Sequence, residues 1–318
     1  MRNELCLALG LLAGSVPATH AAQRVLEPGQ PPVIVHPTVE AADAARAGPS
    51  GDGATTVPMS YHGGNFGHGV EVAPKVYLVL WGQQWRKGDP SGEAALLQRF
   101  LSGAGGSSWL NSVTQYCEGV AAGTVFCRGA GAPAGNQPGM LAGVWRDVAQ
   151  PAPKQPLQSQ IAAEAFAAAQ HFGNTTGPSN ANAQYIIATS HGHNSDGFGT
   201  QYCAYHSWTN SAAGALAYTN LPYMTDAPSA CGANFNGLGF QAGITIVEGH
   251  ELAETITDPF PLTGWFDNLD QENGDKCVWI HTGQGAAANT TFTTGVFAVQ
   301  SLWSNAYGND TGGCVLSY

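Results

Sequence analysis

The stretch Val247–Phe260, VEGHELAETITDPF, decides how this chain is read. A helix that carries His-Glu-x-x-His presents two imidazoles on one face and a glutamate beside them, the signature of a zinc protease. Here His250 and Glu251 stand in the first two places, and Glu254 stands where the second His is expected. Residues four apart lie one above the other on a helix, so His250 and Glu254 share a face. Imidazole and carboxylate both ligate zinc, so the exchange changes the ligand set without abolishing it. A carboxylate is also a harder donor, which keeps calcium, manganese and iron open. In the zinc-protease arrangement Glu251 binds no metal and takes a proton from the attacking water.

A catalytic zinc needs a third protein ligand. The helix must end before Pro259, so that ligand is expected downstream, in GWFDNLDQENGDKC. Glu272, Asp275 and Asp267 are the leading choices. The spacing of Glu272 beyond Glu254 is near that of zinc proteases whose third ligand is a distant Glu. Asp258 can ligate directly or orient His250. The acidic loop 267–275 can alternatively hold Ca2+. The plainer reading takes these acids as solvated helix-face and turn residues. Against it, charged residues make up only 10% of the chain, yet His250, Glu251, Glu254, Asp258, Asp267, Glu272 and Asp275 gather between positions 250 and 275.

A second polar group is His191, His193, Asp196, Tyr202, Tyr205 and His206. SHGHNSDGFG follows an expected strand, where functional loops often sit. His191 or His193 can stabilise an oxyanion; surface histidines on a Gly-rich turn are the plainer reading, and the same holds for His62 and His68. Other chemistries lack their motifs. GAGG at 103–106 is not followed by Lys-Ser/Thr, and no G-x-S-x-G elbow is present.

Composition places the chain outside the cytosol. Lys and Arg number 11 against 22 Asp and Glu, for a net charge of −11. Nucleic acid is therefore an unexpected partner. Arg2, the apolar run Leu5–Val16 and the small residues before Ala21 and Ala22 read as a signal peptide over 1–22. No later segment is long enough to span a bilayer. Cys6 lies in that signal, which leaves Cys117, Cys127, Cys203, Cys231, Cys277 and Cys314. Six cysteines allow about 15 pairings, and an even number in an exported chain favours disulfides. Neighbour pairing is expected: 117–127, 203–231 and 277–314.

Residues 23–58 are rich in Pro, Ala and Gly and read as a linker or propeptide, in which His36 or an acid can block the site. Residues 59–318 are read as one globular domain and a monomer. KVYLVLW and AQYIIAT are expected as strands, with GVAAGTVFC and LAGVWRDV as strands or hairpin arms. Helices are expected after an N-cap at Ser91, over SSWLNSVTQY, over Gln158–Phe172, and at HELAET. KCVWIHTG, GVFAVQSLWSN and GGCVLSY read as short β-like runs. The fold class is α/β or α+β: a mixed sheet with packed helices, a zincin-like active-site helix and a disulfide-tied C-terminal part.

YHGGN, KVYLVLWG, GFGTQYCAYHS, ACGANF and GHELAETITDPF…GWFD…ENGDKC together resemble a group of uncharacterised secreted bacterial proteins over most of 59–318. YHGG, the Trp-Gly-ended strand, YCA and GHELAE are more distantly similar to the plant EXORDIUM-like, phosphate-induced proteins. Those are extracellular, linked with growth, and have no established enzyme activity. That resemblance implies matching positions at His250, Glu251, Glu254, Glu272, Asp275 and Cys277, with export and a shared metal site. Similarity to zincin metallopeptidases is confined to the short motif and implies roles for His250, Glu251 and Glu254. The leading expectation is a secreted Zn2+-dependent hydrolase cleaving an extracellular protein or peptide. The alternatives are a non-catalytic extracellular binding protein, and a metal-independent glycoside hydrolase using paired carboxylates such as Glu251 and Asp267.

Overall fold

A computed structural model describes residues 24–47 and 56–318. The signal-peptide stretch 1–22 lies outside the described residues. Six strands form a mixed sheet: β1 (Ile34–His36), β2 (Lys75–Trp81), β3 (Leu141–Asp147), β4 (Ala183–Thr189), β5 (Ala204–Ser211) and β6 (Gly214–Leu221). Their spatial order is β1-β5-β6-β4-β2-β3. β3, β2, β4 and β6 run parallel to their neighbours, whereas β5 is antiparallel to β6, and β1 to β5.

Strand periodicity sorts the core into two layers. On β2, Tyr77, Val79 and Trp81 face one side, where they join Tyr185, Tyr205, Tyr218 and the Ala-rich helix α3 (Gln158–His171). Val76, Leu78 and Leu80 face the other side, against α2 (Glu93–Ala104) and α4 (Ala242–Thr257). Because β2 and β4 are covered on both faces, their sequences read as continuous apolar runs.

All sixteen residues of α4 are buried. A helix apolar on every side belongs in a core, yet α4 carries four ionisable side chains into it: Glu248, His250, Glu251 and Glu254. Ile244, Ile246 and Val247 lie in its first turns. Gly243 permits that close entry, since a Cβ there would lie 1.7 Å from the Cys231 carbonyl oxygen.

Several local expectations are corrected. Residues 24–47, part of the stretch read as a linker or propeptide, pack against the rest of the described residues, which corrects the linker reading and agrees with a propeptide whose His36 meets the site. Ile34, Val35 and His36 are fully buried, and β1 forms the sheet edge beside β5. Helix α1 (Val39–Arg46) follows, capped by Thr38, whose Oγ1 accepts the Ala41 N–H at 3.3 Å. Arg46 then donates to the carbonyls of Val278 and Trp279 at 2.8 Å. A three-residue strand is too short to show a period, so its pairing was invisible in the sequence. The N-cap of helix α2 is Gly92 rather than Ser91, and the Asp89 carboxylate accepts the N–H groups of Glu93 and Ala94. SSWLNSVTQY narrows to a 3-10 turn at Leu110–Gln115, and GVAAGTVFC forms turns with no strand of its own beyond the edge of the Cys117–Glu118 pairing. KCVWIHTG holds the end of a 3-10 turn, Asp275–Cys277, and no strand.

The C-terminal part adds two hairpins, β7 (Ala288–Phe292) with β8 (Gly295–Val299) and β9 (Leu302–Ser304) with β10 (Gly313–Val315). The three disulfides pair as expected: Cys117–Cys127, Cys203–Cys231 and Cys277–Cys314. Cys203 sits just before β5, Cys231 before α4, and Cys277 just after the ENGD loop. The second and third bridges therefore pin the segments that meet at the site. Closing loops of this length stabilises by about 3 to 4 kcal/mol each in the chain-entropy picture. Among the described residues, no helix is long and apolar enough to cross a membrane.

Candidate metal centre

Three elements bring the chemistry together. Helical spacing on α4 stacks His250 above Glu254, and places Glu251 beside them. Alternation on β5 sends Tyr205 toward α3 and His206 toward α4. The loop after α4 returns to supply Glu272 and Asp275. His206, His250, Glu251, Glu254 and Glu272 have no solvent exposure, and Asp275 has 3%.

His250 Nε2 lies 3.0 Å from Glu254 Oε1 and 3.7 Å from Asp275 Oδ1. His206 Nδ1 lies 3.2 Å from Glu251 Oε2 and 3.5 Å from Glu254 Oε2, and its Nε2 lies 3.5 Å from Glu272 Oε1. Two groups can hold a metal ion: His206, Glu254 and Glu272, and His250, Glu254 and Asp275. Within the protein, His206 Nε2, His250 Nε2, Glu251 Oε1, Glu254 Oε2, Asp275 Oδ1 and both oxygens of Glu272 make no hydrogen bond. Buried polar atoms are normally satisfied, so orphans converging from three elements mark a place for a ligand.

The surroundings fix these groups. Asp275 N–H donates to Glu254 Oε1 at 2.9 Å, and Glu272 N–H donates to Asp275 Oδ2 at 3.0 Å. Asn273 Nδ2 donates to the Ala253 carbonyl and to Thr257 Oγ1, tying the loop back to α4. Gly274 makes the approach possible: a Cβ there would lie 2.6 Å from His250 Nδ1 and 2.9 Å from Glu254 Oε1.

Burial and crowding set the protonation of the metal-free protein. Burial pulls both histidines down, but the carboxylates outweigh it. Glu254, Glu251 and Asp275 lift His250 to about 9, and Glu272, Glu251 and Glu254 lift His206 well above its usual value. Burial is also the main force raising Glu251, Glu272 and Asp275, with neighbouring acids adding to it. Without a metal, protons balance the cluster, and a cation would displace them.

Other residues singled out in the sequence lie elsewhere. Asp258 is buried, but its carboxylate accepts the N–H groups of Leu262, Thr263 and Gly264, so it organises the turn after α4. Asp267 pairs with Lys276 and accepts from Leu269 and Gln271 N–H. Among the described residues, neither belongs to a group able to hold a metal. That Lys276 pairing also removes Asp267 as an unpaired partner for Glu251 in glycoside hydrolysis. His191 bonds Asp226 and is largely exposed, and His193 Nδ1 lies 3.1 Å from the Pro153 carbonyl. Both line a separate pocket of about 420 Å3 with Gln84, Lys87 and Asp89, which no metal-cluster residue lines.

His206 was grouped in the sequence with the His191 loop. Alternation puts it on the face of β5 opposite Tyr205, but both faces are buried, so nothing in the strand pattern singled it out. His36 belongs to the site as well: its ring lies 4.3 Å from that of His250 and 4.9 Å from Trp279, and its Nε2 has no partner. Burial, then His250, holds His36 well below the usual imidazole range. β1 therefore covers the cluster, with Ile34 opposite His206 and His36 against His250.

No family model, curated protein or solved structure matches this chain.

Proposed function

We propose that the protein is an extracellular metal-dependent hydrolase of the peptide-cleaving type, with zinc as its ion. One observation carries the reading: two imidazoles and three carboxylates converge, fully or almost fully buried, each with at least one polar atom that has no hydrogen-bond partner. Imidazole and carboxylate form the donor set of catalytic zinc. A bound divalent ion supplies Lewis acidity toward a carbonyl and eases deprotonation of water. Glu251 is the residue we assign to proton transfer. Its Oε2 takes the His206 Nδ1 contact and its Oε1 is left without a partner, able to accept a proton from an attacking water. The three disulfides fit an oxidising, extracellular setting. The resemblance to secreted bacterial proteins and to EXORDIUM-like proteins supports export and a shared metal site, and brings no activity with it.

Glu251→Gln tests the assignment. The variant is expected to keep its metal and lose peptide cleavage; a variant as active as the wild type would remove Glu251 from the chemistry. The cluster is closed in this conformation, so substrate entry requires a covering element to move, and β1 with His36 is the element we assign to that movement. That closure favours a second reading, a non-catalytic extracellular protein with a structural ion. Absence of cleavage across a diverse peptide library, with metal bound and β1 released, would select it.

A further inference from the structure

The proposed function requires one ion, but the donors exceed what one ion uses. The two histidines belong to different groups, within each of which the ligand atoms lie no more than 4.8 Å apart. Glu254 is common to both. Its oxygens diverge: Oε1 is 3.0 Å from His250 Nε2 and Oε2 is 3.5 Å from His206 Nδ1. Each histidine also has its own carboxylate, Asp275 Oδ1 at 3.7 Å from His250 Nε2 and Glu272 Oε1 at 3.5 Å from His206 Nε2. Zinc–ligand bonds of about 2.0–2.2 Å put neighbouring donors roughly 3 to 3.5 Å apart. The His250 half meets that spacing from a single nitrogen, Nε2. In the His206 half the two contacts come from opposite ring nitrogens, of which one ion takes only one, and that half rests on its donor atoms lying within 4.8 Å of one another.

Charge points the same way. Glu251, Glu254, Glu272 and Asp275 bring four carboxylates into a site with almost no solvent contact. The nearby Lys276 ammonium pairs with Asp267 and also acts through space on Asp275, so it offsets the four carboxylates only in part. Buried ions persist when they are matched by opposite charge. One divalent cation offsets two of the four carboxylates; two cations offset all of them.

We infer that the centre holds two divalent cations bridged by Glu254. His250 and Asp275 hold one and His206 and Glu272 the other. This rests on the metal-dependent reading above and deepens it: two-ion sites stabilise the attacking and the leaving oxygen together. The acidic, mixed N/O donor set suits zinc, manganese or iron in each half.

The full-length chain, stripped with a chelator and reloaded, supplies the test. Elemental analysis with Zn2+ is expected to give two ions per chain. The Mn2+-loaded wild type is expected to show an exchange-coupled pair by electron paramagnetic resonance. Glu272→Gln and Asp275→Asn should each retain a single, uncoupled ion. The wild-type spectrum needs no variant to fold. One ion per chain at saturating metal, with an isolated Mn2+ signal, overturns the two-ion centre and leaves the metal-dependent reading standing. A chain that binds no ion overturns both.

Discussion

Gln300 Oε1 lies 3.3 Å from His250 Nδ1, while the Gln300 amide nitrogen donates to the Gly274 carbonyl at 2.8 Å. The amide is thereby oriented with its oxygen toward the imidazole. Nδ1 then carries a proton with or without metal, and Nε2, which faces Glu254 and Asp275, holds a second proton in the metal-free protein that a cation would displace. This is how a second layer of groups selects a ligand tautomer. Gln300→Leu is expected to weaken metal binding by about 10- to 100-fold while the chain stays folded. Competition against a chromogenic chelator measures it; unchanged affinity would show that Gln300 does not set the tautomer.

Gly274 has no room for a side chain. With a Cβ only 2.6 Å from His250 Nδ1, Gly274→Ala must push the loop or the imidazole aside. Overpacking of this kind costs about 1–3 kcal/mol. The variant is expected to unfold at lower denaturant and to bind metal more weakly. Wild-type values for both would mean that the loop yields freely.

Away from the metal centre, Glu71 provides a pH test. Burial raises it from 4.5 to about 8, partly offset by the Gln184 amide that donates to its Oε2 at 2.7 Å. Between those pH values the native chain holds a proton that the unfolded chain releases. The contribution is fully present below 4.5 and is lost as pH rises through about 8. Stability should therefore fall with rising pH in that window by about 1.4 kcal/mol per unit from this group. Glu71→Gln should flatten urea-unfolding stability between pH 5.5 and 7.5 by that slope; parallel profiles would contradict it.

β1 closes the site, so its release should open it. Ile34→Asp together with Val35→Asp puts charge into two fully buried positions of β1 and is expected to release the strand from β5. In that variant His206 and His250 are expected to react with diethyl pyrocarbonate, which they resist in the wild type. Continued protection would show that other elements do the covering.

What could be read in the sequence follows from burial on both faces. KVYLVLW and AQYIIAT are continuous apolar runs because helices cover the sheet on each side, and they were recognisable as strands for that reason. His250, Glu251 and Glu254 were recognisable because helical spacing is local. His206 was not, since its partners lie on α4 and in the loop at Glu272, and only tertiary structure joins them. β1 was hidden for the same reason: Ile34–His36 gains meaning only when paired with Ala204–His206. Asp258 and Asp267 were as acidic and as near as Glu272. Their backbone N–H groups and Lys276 partners decided their role, and no one-dimensional pattern shows such partners.

The central claim is that the His206, His250, Glu254, Glu272 and Asp275 cluster holds metal. Elemental mass spectrometry of the full chain, purified without chelator, tests it most directly, with Glu254→Gln as control because Glu254 is common to both groups. The expected result is stoichiometric divalent metal in the wild type and its loss in the variant. A well-folded wild-type chain that carries no metal, and takes none up from excess zinc, manganese or iron, would contradict the account.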